Sequence, residues 1–246
     1  MATILETRAL TKSFGGVLAV GDVSVAIGER EVVGIVGSNG AGKTTFVNLV
    51  TGYLKPDRGR ILYAGQDITA HPPREVTRLG IARSFQIPQI YLSLTVLENV
   101  LIALAARQGE GLRPWGPLST RAREAEALKV LEPFRLAEHA SRPVSELPEG
   151  GVKLLDVALA GALMPRVLLL DEPTSGVSSK EKFAVMDTLV RILAERGVTA
   201  IFVEHDMEVV TQYAERILVF HEGSVIADGA PQVVLEDPEV RKAVIG

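Results

Sequence analysis

Eight consecutive residues, Gly37-Ser38-Asn39-Gly40-Ala41-Gly42-Lys43-Thr44, constrain this chain more than anything else in it. They fit the pattern G-x-x-x-x-G-K-[ST], and they lie between a predicted strand and a predicted helix, the setting that pattern needs. Glu31–Val36 is a short apolar run of the kind found in strands buried on both faces of a parallel sheet. Thr44–Thr51 carries apolar residues at helical spacing, with Gly52 as a C-cap. Glycines at 37, 40 and 42 let the intervening backbone turn its N–H groups inward onto phosphate oxygens, and the helix N-terminus adds partial positive charge. The expected ligand is ATP with Mg²⁺. Lys43 is expected to reach the β- and γ-phosphates and the Thr44 hydroxyl to ligate the metal. Ser38, Asn39, Ala41 and Thr45 complete the cradle.

Around that loop the pattern alternates strand and helix. Short β-type stretches at Leu18–Val20 and Val23–Ile27 are broken by Gly15–Gly16 and Gly21, and Arg60–Tyr63 with the Gly65 turn suggests a hairpin. Helical spacing follows over Thr95–Ala106, Arg121–Leu131 and part of Val144–Leu163, beginning after Pro148 and Gly150–Gly151, with a loop rich in Gly and Pro at 109–118. Val167–Leu170, Thr199–Val203 and Ile217–Phe220 read as strands again, with a helix at Glu181–Glu195. The expected class is α/β: a parallel core with a mainly helical block inserted near 87–160.

Composition removes several alternatives. Hydrophobic residues make up 47% of 246, enough for a sizeable core and against global disorder. A net charge of −4 argues against a protein that coats nucleic acid. The absence of cysteine excludes disulfides and thiolate metal sites. No apolar run approaches the ~20 residues that span a bilayer, and the N-terminus lacks a signal-peptide stretch. The expectation is a soluble chain that a partner must hold if it works at a membrane.

Further candidates gather around the phosphate loop. Asp171 and Glu172 end an apolar strand, where ligands collect in α/β sheets. Asp171 is expected to hold Mg²⁺, directly or through water, and Glu172 to polarise the attacking water. An acidic pair after a strand can also be a turn or a cap. His205, after the strand Thr199–Val203, is a candidate to contact the γ-phosphate, although a lone His after a strand is usually structural; the Gln86 amide oxygen is a candidate to complete the metal shell, a role Gln86 by itself would not carry. His71, His139 and His221 have no such setting.

Together these residues resemble the ATP-binding subunits of ABC transporters, and the likeness covers essentially the whole chain. The order is that of the family: an aromatic (Phe14) that would stack on adenine, the loop 37–44, Gln86, a helical region, a signature region at 147–151, Asp171–Glu172 and His205. Val-Glu-His-Asp-Met at 203–207, the insertion at 107–120 and the ending at 237–246 are similar to the branched-chain amino acid and urea-type uptake branch. The resemblance implies a P-loop NTPase core, a RecA-like parallel sheet with an antiparallel β subdomain, in one ABC domain spanning 1–246. Its core would be 1–86 and 161–246, its helical subdomain about 87–160.

The same resemblance implies an ATP hydrolase, peripheral on the cytoplasmic face of the inner or plasma membrane, that energises an importer. Lys43, Glu172 and His205 would be its catalytic residues, and Thr44, Gln86 and Asp171 its metal ligands. It implies membrane permeases, a second ATP-binding subunit in a homo- or heterodimer, and, indirectly, a solute-binding protein. No nucleic-acid partner is expected. The surface near Gln86–Tyr91 would receive the permeases, although Ile87–Leu94 alone reads as an ordinary surface loop. Rival expectations are a soluble ABC ATPase uncoupled from transport, a regulatory module that holds ATP but barely turns it over, and a urea or amide importer.

The resemblance fails at two places. The family signature Leu-Ser-Gly-Gly-Gln reads Leu147-Pro148-Glu149-Gly150-Gly151 here. Proline offers neither the serine hydroxyl nor an N–H, and Glu149 would repel a γ-phosphate unless it points away. Ser178 stands where an aspartate is common. These departures lead to the expectation that this chain hydrolyses its own ATP against a competent signature on another subunit, while ATP facing Pro148 is hydrolysed slowly.

Overall fold

The computed structural model describes residues 2–84, 90–107 and 119–244. Gln86 and the 109–118 loop therefore lie outside the described residues. In chain order the elements are β1 (Thr3–Phe14), β2 (Val17–Gly28), β3 (Val32–Val36), α1 (Lys43–Val50), β4 (Arg58–Tyr63), β5 (Gln66–Asp67), α2 (Pro73–Leu79) and β6 (Ile81–Ser84). They continue as α3 (Val96–Arg107), α4 (Arg121–Leu131), α5 (Glu149–Ala162), β7 (Val167–Asp171), α6 (Lys182–Glu195) and β8 (Thr199–Val203). The chain closes with α7 (Met207–Tyr213), β9 (Arg216–His221), β10 (Ser224–Gly229), α8 (Pro231–Val234) and α9 (Pro238–Val244).

β1 and β2 pair antiparallel with Phe14 opposite Val17, so Gly15 and Gly16 alone make the turn. Their φ angles of 52° and 88° meet the demand of a two-residue hairpin for positive φ at both turn positions. β4 and β5 extend the hairpin into a four-stranded sheet ordered β2-β1-β4-β5. Gly21 does not break its strand as the sequence suggests: β2 runs through it, and its N–H donates to the Gly223 carbonyl at 2.8 Å. A glycine can stay extended, and here its hydrogen bond joins the hairpin to the β9–β10 turn.

The second sheet has six strands in the order β10-β9-β3-β8-β7-β6, parallel except for the β10–β9 hairpin. Every residue of β3, β7 and β8 is buried. The period-2 alternation of a strand divides their side chains between two cores. Leu168, Leu170, Ala200 and Phe202 face a core built with α3–α7. Val167, Leu169, Ile201 and Val203 face Phe46, Val47, Leu49 and Val50 of α1, with the antiparallel sheet beyond. Phe46 and Phe220 meet there with ring centroids 5.3 Å apart. α1 is thus clamped between two sheets, which fixes the loop that precedes it.

Between β6 and β7 the described residues contain helices and 3₁₀ turns but no named strand. α5 begins at Glu149, one residue before the glycines expected to precede it. Gly150 is accommodated inside the first turn because its bare Cα packs against α6; a Cβ would stand 3.3 Å from Val185 Cγ2.

Candidate functional site

β3 ends at Val36 and α1 begins at Lys43, so six residues reverse the chain. Gly37 has φ 148° and Gly42 has φ 103°. A Cβ at 37 would overlap the Phe220 carbonyl oxygen, and one at 42 the Ala19 carbonyl oxygen. Both glycines are therefore required by contact as well as by dihedral. Gly42 is the N-cap of α1; it makes no side-chain cap, and the first turn carries no acid. The helix N-terminus keeps its N–H groups and partial positive charge for something outside the helix.

Lys43 lies almost wholly buried, and its Nζ donates to the carbonyls of Gly37 at 2.6 Å and Ser38 at 2.9 Å. Burial lowers the ammonium pKa, against the opposing pull of Glu172 and Asp171. Asn39, Gly40, Ala41, Gly42, Lys43, Thr44 and Thr45 line one side of a cleft of about 310 Å³; Glu172 and His205 line another, with Ala19 and Val203. Gly37 and Ser38 contribute through their carbonyls on Lys43.

The second wall starts where β7 and β8 end side by side, Asp171 paired with Val203. Glu172 follows in the left-handed region, φ 49°, its N–H donating to the Val203 carbonyl at 3.0 Å. That conformation is uncommon for a residue with a Cβ and turns its side chain toward His205, whose Nε2 lies 2.8 Å from Glu172 Oε1. Lys153, on α5, approaches the Glu172 carbonyl at 3.4 Å. The buried Glu204 accepts from Thr174 N and Oγ1 at 2.9 and 2.7 Å and from His205 N at 3.2 Å, bracing both loops.

Asp171 is 6% exposed and forms an ion pair with Arg83, Nη2 to Oδ2 at 2.6 Å. Arg83 Nη1 reaches Asn48 Oδ1 at 2.5 Å. Phe14 stands at the hairpin tip outside the lining of the cleft, half exposed, with Lys12 Nζ 5.5 Å from its ring centroid. Pro148 is the N-cap of α5 and offers no side-chain cap. The Glu149 carboxylate lies against Gly176, where a Cβ would collide with it; it packs on the 174–178 turn of its own chain.

The sequence missed Arg83, Asn48, Lys153 and Glu204. Arg83, Asn48 and Lys153 are single polar residues inside β6, α1 and α5, and Glu204 sits in the Val-Glu-His-Asp-Met string just past β8; only the fold reveals their partners. The donors suit a polyphosphate and a hard cation, being backbone N–H groups, an ammonium, a hydroxyl and a carboxylate. No cluster of three His, Cys, Asp or Glu that could cage a metal exists among the described residues. A metal here would depend on oxygens of its ligand, as Mg²⁺ usually does beside phosphates.

Residues 20–175 match the ABC transporter family. The chain is 37% identical to the probable branched-chain amino acid transport ATP-binding protein LivG of Archaeoglobus fulgidus, covering 99% of this chain and 95% of that one. It is 35% identical to the high-affinity branched-chain amino acid transport ATP-binding protein BraF of Pseudomonas aeruginosa, over 99% and 98%. Among solved structures, the ADP conformation of the ATP-binding cassette MJ1267 superposes with a TM-score of 0.90 at 33% identity, covering both chains fully. A dimeric post-hydrolysis state of the cassette MJ0796, bound to ADP and Pi, gives 0.77 at 28% identity over 93% and 99%. A glycine loop against a Glu–His pair, on an ATP-binding-cassette fold matched from end to end, establishes that this chain belongs to the ABC transporter family as one of its ATP-binding cassettes.

Proposed function

We propose that this chain binds and hydrolyses ATP to energise a membrane importer of branched-chain or related amino acids. The observation that carries the hydrolytic part is the cleft itself, with Lys43 and Thr44 on one wall and the hydrogen-bonded Glu172–His205 pair on the other. The solute class rests on relatives named for branched-chain amino acid transport along nearly their full length. We assign 1–86 and 161–246 to a nucleotide core and about 87–160 to a helical subdomain.

The N–H groups of 39–44 and the Lys43 ammonium would hold the β- and γ-phosphates, and Phe14 would stack on adenine. Mg²⁺, when bound, would offset the charge that develops on the transferred phosphoryl group. Thr44 and Asp171 would hold it, with Gln86 as a third oxygen donor. Glu172 would accept the proton of the water attacking γ-phosphorus, so that ADP and inorganic phosphate leave. His205 holds the Glu172 carboxylate from the side and would reach the γ-phosphate.

No helix among the described residues is long and apolar enough to cross a membrane. The proposal therefore includes permease subunits that hold the chain at the cytoplasmic face, docking near Gln86–Tyr91, where Tyr91 and Leu92 are both 56% exposed. It also includes a second ATP-binding subunit with a competent signature and, indirectly, a solute-binding protein. Capture of the chain from gently solubilised membranes, with mass spectrometry of its companions, tests this assembly. Permeases and a second cassette are expected; soluble partners alone, or nucleic acid, would sink the transport assignment.

A further inference from the structure

We propose that Arg83 is a positioning residue that sets the distance between the two protein donors of the metal site, Thr44 and Asp171; this rests on the nucleotide site proposed above. Arg83 and Asp171 side chains are 7% and 6% exposed, so neither charge is held by solvent. The guanidinium uses two separate arms. Nη2 takes Asp171 Oδ2 at the end of β7, and Nη1 takes Asn48 Oδ1 on α1. Asn48 is four residues beyond Thr44, hence on the same face of that helix one turn along. Arg83 pairs with Leu169 across the β6–β7 ladder, two residues before Asp171 and on the same side of the sheet. One planar, rigid group thereby spans the helix that carries the hydroxyl and the strand that carries the carboxylate.

Lys43 attracts Asp171 electrostatically, but its hydrogen bonds go to the carbonyls of Gly37 and Ser38, so the direct hydrogen bond on the Asp171 carboxylate comes from Arg83. With Oδ2 taken by Arg83, the rotation of the Asp171 carboxylate is fixed and the other oxygen is the one left for a metal or its water. A guanidinium also repels a divalent ion. Its second arm on Asn48 and its burial decide between the two effects: the side chain is tied in place as a permanent partner of the carboxylate, and metal ligands whose outer partners are removed lose affinity by about 10–100-fold.

The test is equilibrium binding of a fluorescent ATP analogue to the purified chain, titrated with Mg²⁺ and repeated in EDTA. Arg83→Gln removes both arms, Arg83→Lys keeps the charge but cannot make the fork, and Asn48→Ala cuts only the helix arm. Affinity in EDTA is expected to stay within about twofold of the parent in all three. The Mg²⁺ concentration that half-saturates the metal-dependent gain is expected to rise about tenfold or more in Arg83→Gln and by smaller factors in the other two. Should Arg83→Gln not fold, the remaining two variants decide. Equal losses with and without Mg²⁺ would reduce Arg83 to a structural residue and overturn the proposal. An unchanged or lowered Mg²⁺ requirement would overturn it too, the latter making the guanidinium a competitor of the metal. A parent chain that binds the analogue neither with Mg²⁺ nor in EDTA would instead refute the nucleotide site on which the proposal rests, and one that binds it equally in both would overturn the metal site and the proposal with it.

Discussion

Glu172 shows how one residue's backbone and side chain serve a single end. Its positive φ is a strained choice for a glutamate, and the result is a carboxylate hydrogen-bonded to His205 across from Lys43. Glu172→Gln keeps the size of the side chain and removes its basicity. Turnover is expected to fall about 10²–10⁴-fold while nucleotide stays bound, trapping an ATP-bound dimer. Unchanged turnover would mean that the chain only holds ATP. Lys43 supplies a second expectation. Burial lowers its pKa, so ATP affinity should be flat through neutral pH and weaken on the alkaline side earlier than for an ordinary lysine, as the ammonium deprotonates. A binding titration against pH checks it, and an affinity that holds as far into the alkaline range as an ordinary lysine stays charged would count against the role. At this scale Lys43, Asp171, Glu172 and His205 were legible because each ends or follows a strand or opens a helix in a recognisable string. Arg83, Asn48, Lys153 and Glu204 were not, because their partners are distant in the chain.

Two element ends carry further expectations. Asp206 caps α7, accepting from Glu208 N and Val209 N at 3.0 and 3.4 Å, and pairs with Lys182 at 2.5 Å. The Lys182 hydrogen bond holds its carboxyl below the usual carboxylate range. The unfolded chain therefore binds more protons in the window from the ordinary Asp value downward, so this contribution is complete above that value and is lost as pH falls through the lowered one. Asp206→Ala should cost about 1 kcal/mol at neutral pH and flatten the acid limb of stability, as read by denaturant melts at several pH values. α5 begins at the uncapped Pro148. Pro148→Ser would add an N-cap hydroxyl, and together with Gly151→Gln it should raise turnover of the assembled complex. No change in turnover or ATP affinity would count against the expectation that ATP facing Pro148 is hydrolysed slowly. α3, α4, α6 and β8 were readable from periodicity. β6 was not: Ile-Ala-Arg-Ser lacks an apolar run because it is an edge strand whose arginine is paired with Asp171. The two separate stretches read in β2 proved to be one strand, since Gly21 stays extended and finds a hydrogen-bond partner in the β9–β10 turn.

For the molecule as a whole, binding is coupled to stability. ATP with Mg²⁺ at a hundred times its Kd should stabilise the chain by about 2.7 kcal/mol, a Tm rise of about 5–10 °C for a chain of this size. A melting curve insensitive to Mg²⁺–ATP would contradict the site. By itself the sequence determined the glycine turn before α1, the class of the sheet and the order of the acidic and imidazole groups, because those depend on local spacing: glycines that allow one turn, apolar runs that demand burial on two faces, polar residues at strand ends. Tertiary structure alone decided which oxygen of Asp171 is taken, that Glu149 turns onto the 174–178 loop of its own chain, and that α1 is clamped between two sheets. Those outcomes depend on which elements become neighbours. A buried charge or carbonyl takes the partner that packing brings within reach, and no stretch of sequence encodes that partner locally.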